Sequence, residues 1–240
     1  MSDDSALIVY DEGPIRHLRF NRPHRLNATD TPQHERVIRN LQAADQDPTV
    51  RVVAFSGEGR AFCAGDDMKA AGEPWPDRYG KRLVDLDIGI GPLLLQEATK
   101  VIRMMSKPTV ALMHGYALGA GYDYATSCDF RLAAENCRFG DPRINRAMWA
   151  AEGWSYKLSR LIPQGWAIRI ALLGEPLTGV EAERIGLVHR VYPEGVDLRE
   201  AARDFLLRLA VLPPDTYALI KSHIQHGLDL SYEAALARQR

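Results

Sequence analysis

A short apolar run that ends at glycines and leads straight into a carboxylate constrains this chain more than any other feature. Residues 111–123 read Ala-Leu-Met-His-Gly-Tyr-Ala-Leu-Gly-Ala-Gly-Tyr-Asp, a pattern typical of a strand that turns into a helix. Gly119 and Gly121 have no Cβ, so other backbone can approach closely, and the first N–H groups of the helix have no partner within it. Such a turn suits a developing negative charge, although by itself the pattern fits an ordinary tight turn equally well.

A second small-residue turn follows another apolar strand. Residues 51–57 predict that strand, and residues 60–68 then read Arg-Ala-Phe-Cys-Ala-Gly-Asp-Asp-Met. If the backbone N–H groups of Asp66 and Ala120 point at one spot, they form a two-donor oxyanion hole. That arrangement stabilises an enolate or a tetrahedral oxyanion.

Further motifs make the chain resemble a known family. They occur in the family's order at residues 20–28, 60–68, 111–123, 139–142, 173–174 and 186–188. Together they resemble the crotonase (enoyl-CoA hydratase/isomerase) superfamily from about residue 6 to residue 235. The resemblance implies acyl-CoA substrates, a homotrimer or dimer of trimers, and no metal or other cofactor, because coenzyme A enters as part of the substrate.

The order of predicted elements indicates an α/β fold. A strand pair is followed by a strand, a helix, a strand, a helix and a strand. From residue 150 onward the pattern is mostly helical apart from a strand at residues 188–192, with Thr178 as a predicted N-cap and Gly174 as a predicted helix stop. The resemblance implies a crotonase-like spiral of ββα turns over residues 1–195, with a C-terminal helical, oligomerising region over residues 196–240. The chain departs from the family at its end, because relatives continue for about one or two further helical turns beyond Arg240, and a missing last helix is expected to leave the acyl pocket more open. Residues 70–80, with Trp75, are interpreted as a lid or an ordinary surface loop.

The overall charge predicts no nucleic-acid or membrane partner. Lysine and arginine total 30 against 31 acidic residues, which leaves a formal net charge of −1 and no global field to attract a polyanion. No apolar run is long enough to cross a membrane. The three cysteines lack metal-ligand spacing, and the acidic first residues do not resemble a secretory signal. We therefore expect reduced thiols and a cytoplasmic protein.

The catalytic carboxylates depart from the pattern that the resemblance implies. Hydratases of the family hold water between two glutamates, and the matching positions here carry Asp123 and Arg143. Arginine stays protonated at ordinary pH and cannot exchange the proton that hydration requires. A standard two-glutamate hydratase mechanism is therefore disfavoured.

Glu152 is a candidate replacement carboxylate. It lies between Trp149 and Trp154, and a partly desolvated position there would raise its pKa into a useful range. It also fits a first-turn glutamate that interacts with the helix dipole. For Arg143, three interpretations stay open: pairing that keeps Asp123 or Glu152 ionised, binding of a substrate carboxylate, or a surface salt bridge.

The resemblance places coenzyme A near residues 24–28. Arg25 and Lys69 are the candidate phosphate contacts, and the backbone of Ala28 and Ala64 is expected near the adenine. Arg25 fits plain surface charge equally well. The Asp66 side chain is expected to face solvent or to bond Arg60 or Lys69, because an inward carboxylate would oppose the enolate.

Three functions follow as hypotheses. The leading one is an acyl-CoA enzyme of the hydratase/isomerase type that stabilises a thioester enolate with non-standard acid and base residues. The alternatives are a hydrolase of β-diketones or C–C bonds, in which Glu152 activates water, and a catalytically silent relative.

Overall fold

The computed structural model describes residues 4–67, 90–148, 150, 152–227 and 229–238. The strands are β1 (Leu7–Glu12), β2 (Ile15–Phe20), β3 (Val52–Gly57), β4 (Thr109–Met113), β5 (Tyr116–Leu118), β6 (Phe130–Ala134), β7 (Arg138–Gly140) and β8 (Arg190–Tyr192). One sheet has six strands in the order β1-β2-β3-β4-β6-β8, and β5 and β7 form a second sheet of two. Among the paired strands of these residues, only the β1–β2 pair is antiparallel.

Helices cover both faces of the larger sheet and dominate the last third of the chain, which confirms the predicted α/β class. They are α1 (Thr31–Gln46), α2 (Ile90–Met104), α3 (Ala120–Ser127), α4 (Trp154–Leu161), α5 (Gln164–Leu173), α6 (Gly179–Arg184), α7 (Leu198–Ala201), α8 (Arg203–Ala210), α9 (Pro214–Gly227) and α10 (Tyr232–Arg238).

Alternating side chains of the central strands supply two apolar layers. On β3, Val53 and Phe55 pack into the layer under α1, α2 and α3, whereas Val52 and Ala54 pack against α7 and α8. A parallel sheet that is covered on both sides needs apolar residues at every position, which explains the nearly uninterrupted apolar runs of β3 and β4. The first segment of the region 196–240 thus covers one face of the sheet, and its predicted role in assembly stays a prediction.

The last strand begins two residues later than predicted, at Arg190 rather than Val188. Thr178 caps α6 in a capping box with Glu181, in agreement with the predicted N-cap. Gly174 ends α5 in the left-handed conformation.

All three cysteines, Cys63, Cys128 and Cys137, are buried free thiols in the layer under α1, α2 and α3. Burial raises the pKa of each thiol to about 12, so none forms a thiolate near neutral pH. Within the described ranges, no helix has the length and apolarity to cross a bilayer. The predicted lid at residues 70–80 lies outside the described residues.

Candidate active site

The two glycine turns predicted from the sequence are in direct contact. Gly65 has a φ of 113° and Gly119 a φ of 54°, values that favour glycine. A Cβ on Gly65 would lie 3.3 Å from the carbonyl oxygen of Leu118 and 3.8 Å from the nitrogen of Ala120. A Cβ on Gly119 would lie 3.4 Å from the Cα of Gly65. The backbone around Asp66 therefore adjoins the first residue of α3.

Strand-like pairing fixes the direction of the Asp66 N–H. Thr29 donates to the carbonyl of Gly65 at 2.8 Å and accepts from the N–H of Asp67 at 2.7 Å. Asp66 lies between these two bonded positions, and in a parallel bridge of this kind such a residue directs its own N–H away from the opposite strand. No backbone carbonyl in the described part of the chain accepts from Asp66. The Asp66 N–H is thus directed away from Thr29.

A second bridge holds α3 against the same segment. Cys63 donates to the carbonyl of Tyr116 and accepts from the N–H of Leu118, both at 2.9 Å. A Cβ on Gly121 would lie 2.2 Å from the carbonyl oxygen of Cys63, so only glycine permits this approach. Ala120, as the first residue of α3, has an N–H without an intrahelical partner.

A small pocket opens beside these turns. One wall is backbone of the two glycine turns, and the other is the short 3₁₀-helix Pro142–Arg146 with Met148 just beyond it. The lining residues are Ala64, Gly65, Asp66, Gly119, Pro142, Arg143, Arg146 and Met148. The pocket therefore lies between the candidate oxyanion turns and Arg143, which contacts the predicted carboxylates.

Arg143 is the centre of a buried cluster of carboxylates. Its Nη2 donates to Asp123 Oδ2 at 2.7 Å, and its Nη1 donates to Glu152 Oε2 at 3.0 Å. Its Nε and Nη2 donate to the two oxygens of Asp141 at 2.6 and 2.9 Å. The Arg143 side chain is only 8% exposed.

These contacts bear on the three interpretations of Arg143. The guanidinium pairs with both predicted carboxylates, Asp123 and Glu152. The surface salt bridge is wrong because the group is buried. Four of the five N–H donors already bond protein carboxylates, so the binding of a substrate carboxylate by Arg143 stays a prediction.

Pairing with Arg143 does not keep Glu152 ionised, contrary to the expectation from sequence. Burial raises the pKa of Glu152 to about 8, and the negative charge of Asp123 adds to the effect against the opposing Arg143. Burial also raises the pKa of Asp123, while the positive charges of Arg143 and Lys157 act to lower it. At neutral pH, Glu152 therefore carries a proton, whereas Asp123 has two cations that favour its ionised form.

Sequence reasoning missed Lys157 and Asp141 as members of this cluster. Lys157 Nζ donates to Ser127 Oγ at 2.8 Å and lies 4.0 Å from Asp123 Oδ1. That Oδ1 atom is buried and has no hydrogen-bond partner among the described residues. Asp141 could have been suspected, because an aspartate directly before a proline is a frequent helix cap, and here it accepts from the N–H of Arg143. Lys157 has no such local signal.

Among the described residues, the Asp66 side chain contacts His34 and not the predicted Arg60. Its Oδ1 lies 3.4 Å from Nε2 of His34, and the Nδ1 of His34 lies 2.7 Å from the hydroxyl of Tyr124. Among the described residues, no bond joins Asp66 to Arg60, and Lys69 lies outside them. The side chain is 38% exposed, so the expectation that it avoids the oxyanion position by facing solvent is met only in part. His34 and Tyr124 are both buried and connect the Asp66 turn to α1 and α3.

Three of the predicted coenzyme A residues, Arg25, Ala28 and Ala64, lie close together in the folded chain. Ala28 donates to the carbonyl of Arg25 at 3.1 Å, and Ala64 donates to the carbonyl of Leu26 at 3.0 Å. Arg25 is exposed at the end of a short 3₁₀-helix. Lys69 and Trp149, the predicted neighbour of Glu152, lie outside the described residues.

Comparisons with known proteins agree with this architecture over almost the whole chain. A family model described as enoyl-CoA hydratase/isomerase matches residues 11–240. The chain is 30% identical over 236 residues to 2,3-dehydroadipyl-CoA hydratase of Escherichia coli, covering 98% of this chain and 88% of that protein. A solved Pseudomonas aeruginosa protein superposes with a TM-score of 0.87 at 34% identity, over 100% of both chains. An enoyl-CoA hydratase structure from Bacillus anthracis gives a TM-score of 0.86 at 26% identity, covering 98% of this chain and 88% of that one.

Proposed function

Because this chain belongs to the enoyl-CoA hydratase/isomerase family, the crotonase superfamily, we propose that it stabilises the enolate of an acyl-CoA thioester. The thioester oxygen accepts hydrogen bonds from the backbone N–H groups of Asp66 and Ala120. The observation that carries the proposal is the direct contact of the two glycine turns, with both N–H groups free of backbone partners in the described part of the chain. Two such donors lower the energy of the negative charge as it develops on the oxygen.

Asp123 and Glu152 divide the proton transfers between them. Asp123 acts as the base, because burial raises the pKa of its carboxyl group and makes it a better proton acceptor, while Arg143 and Lys157 favour its charged form. Glu152, with its pKa raised to about 8, supplies a proton at neutral pH. Environments that separate two carboxylates in this way are typical of acid and base pairs. Arg143 itself transfers no proton, and it fixes the distance between the two carboxyl groups.

This division supports both reactions of the family. In a hydration, Asp123 removes a proton from water, the hydroxyl adds to the β-carbon, and the enolate then takes the Glu152 proton at its α-carbon. In an isomerisation, Asp123 removes a carbon-bound proton and Glu152 returns one to the other end of the enolate. In either case the enolate is the shared intermediate. The Escherichia coli relative is named as a hydratase of 2,3-dehydroadipyl-CoA, which favours the first.

Coenzyme A would bind along the turn that contains Arg25, Ala28 and Ala64, with Lys69 as a further phosphate contact. The support is that Ala64 and Leu26 are joined by a backbone hydrogen bond, so this turn adjoins the glycine turn of the pocket. No metal or separate cofactor is part of the proposal.

A homotrimer or a dimer of trimers in the cytoplasm completes the proposed function. Helix α9 exposes Leu219, Ile220 and Ile224 by 59, 54 and 70%. Exposed apolar clusters of this kind favour burial at an interface, and they lie in the region 196–240, for which the resemblance implies oligomerisation. Sedimentation velocity would measure the assembly, and a monomer at micromolar concentration would contradict it.

Exchange of the α-protons of a bound acyl-CoA with deuterium tests the enolate without knowledge of the natural substrate. Glu152→Gln and Asp123→Asn should each slow exchange by about 10²–10⁴, whereas the exposed Glu175→Gln should leave it unchanged. Mass spectrometry of butyryl-CoA incubated in heavy water reads the exchange directly. Binding without exchange would favour a silent relative, and cleavage of a β-diketone without acyl-CoA binding would favour the hydrolase.

A further inference from the structure

Arg146 is an exposed residue that lines the pocket. None of the described residues forms a hydrogen bond or an ion pair with its side chain. Arg143, which lines the same pocket, uses its three guanidinium nitrogens on carboxylates. A guanidinium has five donors, and those of Arg146 are therefore available to a ligand in the pocket.

The backbone beneath Arg146 is nevertheless well fixed. Arg143 and Arg146 are separated by three positions in the 3₁₀-helix Pro142–Arg146, so their side chains project from the same side of it. Asn145 anchors this helix by donating to the carbonyl of Gly174 at 3.2 Å. Ala147, with a φ of 50°, then ends it, and Met148 donates back to the carbonyl of Arg143 at 3.0 Å. The Arg146 guanidinium thus extends from a well-anchored wall of the pocket.

The two cations of the neighbouring cluster already have carboxyl partners. Three carboxyl groups, Asp123, Asp141 and Glu152, surround Arg143, and Lys157 lies beside Asp123. Asp66, the acidic residue on the other wall, lies beside His34. None of these carboxyl groups forms an ion pair with Arg146 among the described residues, so its positive charge is available to a ligand.

We propose that Arg146 binds a carboxylate at the far end of the acyl group, so that the substrate is a CoA thioester of a dicarboxylic acid. The inference rests on the proposed function, and it assigns the acyl end of the same site. The planar fork of arginine matches a carboxylate with two parallel hydrogen bonds, which a lysine cannot reproduce.

The position of Arg146 favours the acyl end over the phosphates of coenzyme A. The turn with Arg25, Ala28 and Ala64 adjoins the Gly65 wall. Arg146 belongs to the other wall, beside Arg143 and Met148, so a thioester held between the glycine turns directs its acyl group toward it.

Isothermal calorimetry with adipyl-CoA and hexanoyl-CoA tests the assignment, because the two ligands have the same chain length and differ in the terminal carboxylate. We expect the wild type to bind adipyl-CoA at least tenfold more tightly. Arg146→Gln should abolish that preference and leave hexanoyl-CoA binding unchanged, and Arg146→Lys should restore only part of it. The exposed Arg184→Gln is the matched control and should change neither.

The outcomes separate this proposal from the function on which it rests. Equal binding of the two thioesters by the wild type, or an equal loss of both in Arg146→Gln, overturns the carboxylate assignment and leaves the acyl-CoA function in place. An equal loss would assign Arg146 to the coenzyme A moiety instead. Failure of the wild type to bind either thioester overturns the proposed function, and the assignment of Arg146 with it.

Discussion

Glu152 and Asp123 are held by different nitrogens of one buried guanidinium. The distances from Arg143 are 3.0 Å to Glu152 and 2.7 Å to Asp123. The two acidic side chains come from separate elements, and a single cation connects them. Any change in the charge of one carboxyl group is therefore felt by the other through a short, water-poor path.

Removal of the shared cation should destabilise the protein strongly. Arg143→Met leaves three carboxyl groups facing one another without the charge that compensates them, and the loss of one partner from a buried ion pair costs about 3–5 kcal/mol. Urea unfolding at pH 7 measures the free energy of unfolding. Arg169→Met, which breaks an exposed pair with Glu175, is the control and should cost less than about 1 kcal/mol. Similar losses in both variants would contradict a structural role for the cluster.

The stability of the protein should depend on pH through Glu152. Its pKa is about 8 in the folded protein and near 4.5 in the unfolded chain, so the folded state binds the extra proton between these values. The stabilisation is full below pH 4.5 and is lost as the pH rises toward 8. Glu152→Gln removes this dependence. A tenfold difference in proton affinity between the folded and unfolded states corresponds to about 1.4 kcal/mol of stability.

Unfolding free energies of the wild type and Glu152→Gln, measured from pH 5 to pH 9, test this directly. The wild type should lose stability relative to the variant as the pH rises, and the difference should level off above pH 8. Parallel curves across the whole range would show that Glu152 ionises normally.

Lys157 should control the ionisation of Asp123. It is buried, and its ammonium lies 4.0 Å from the Oδ1 of Asp123, an atom without a hydrogen-bond partner in the described part of the chain. Lys157→Met removes one of the two cations that lower the pKa of that carboxyl, so proton exchange that needs ionised Asp123 should move to higher pH. Arg143 and Asp141, which also face Asp123, are unchanged in the variant.

The pH profile of α-proton exchange distinguishes this effect from simple loss of folding. Lys157→Met should move the acidic limb to a pH that is higher by about 1 or more, and Lys157→Arg should move it much less. A lower rate with an unmoved limb in Lys157→Met would mean that Lys157 only supports packing.

Replacement of the Asp66 side chain should preserve activity. Asp66→Ala keeps the backbone N–H and removes a partly exposed negative charge from the pocket, so exchange should rise by about two- to fivefold. Asp66→Asn, which keeps the shape without the charge, should behave similarly. A loss of exchange larger than tenfold in both variants would show that the carboxylate takes part in the reaction, or that its contact with His34 is needed to hold the turn.

The sequence predicted the parts of the site that depend on local backbone. The turns at Gly65 and Gly119 follow from apolar runs that end at small residues, and the cap at Thr178 follows from the preference of threonine for that position. These signals lie within a few consecutive residues, where propensity and turn chemistry decide the conformation.

The parts that could not be predicted depend on which elements meet in the folded chain. Lys157 reaches Asp123 only because α4 packs beside α3, and nothing near Lys157 in the sequence indicates that contact. Pairing with Arg143 suggested an ionised Glu152, yet burial outweighs it, and the degree of burial is a tertiary property. The partner of Asp66 is likewise a histidine from a distant helix.

Because every cysteine is buried, the reactivity of the native thiols can be used to measure unfolding. Cys63, Cys128 and Cys137 are enclosed in one apolar layer, and with pKa values of about 12 they offer a maleimide neither access nor a thiolate. Labelling should therefore require the layer to open. At low reagent concentration, the labelling rate should be proportional to the fraction of molecules in which the layer is open. Each variant above can be compared for global stability in this way without an added probe.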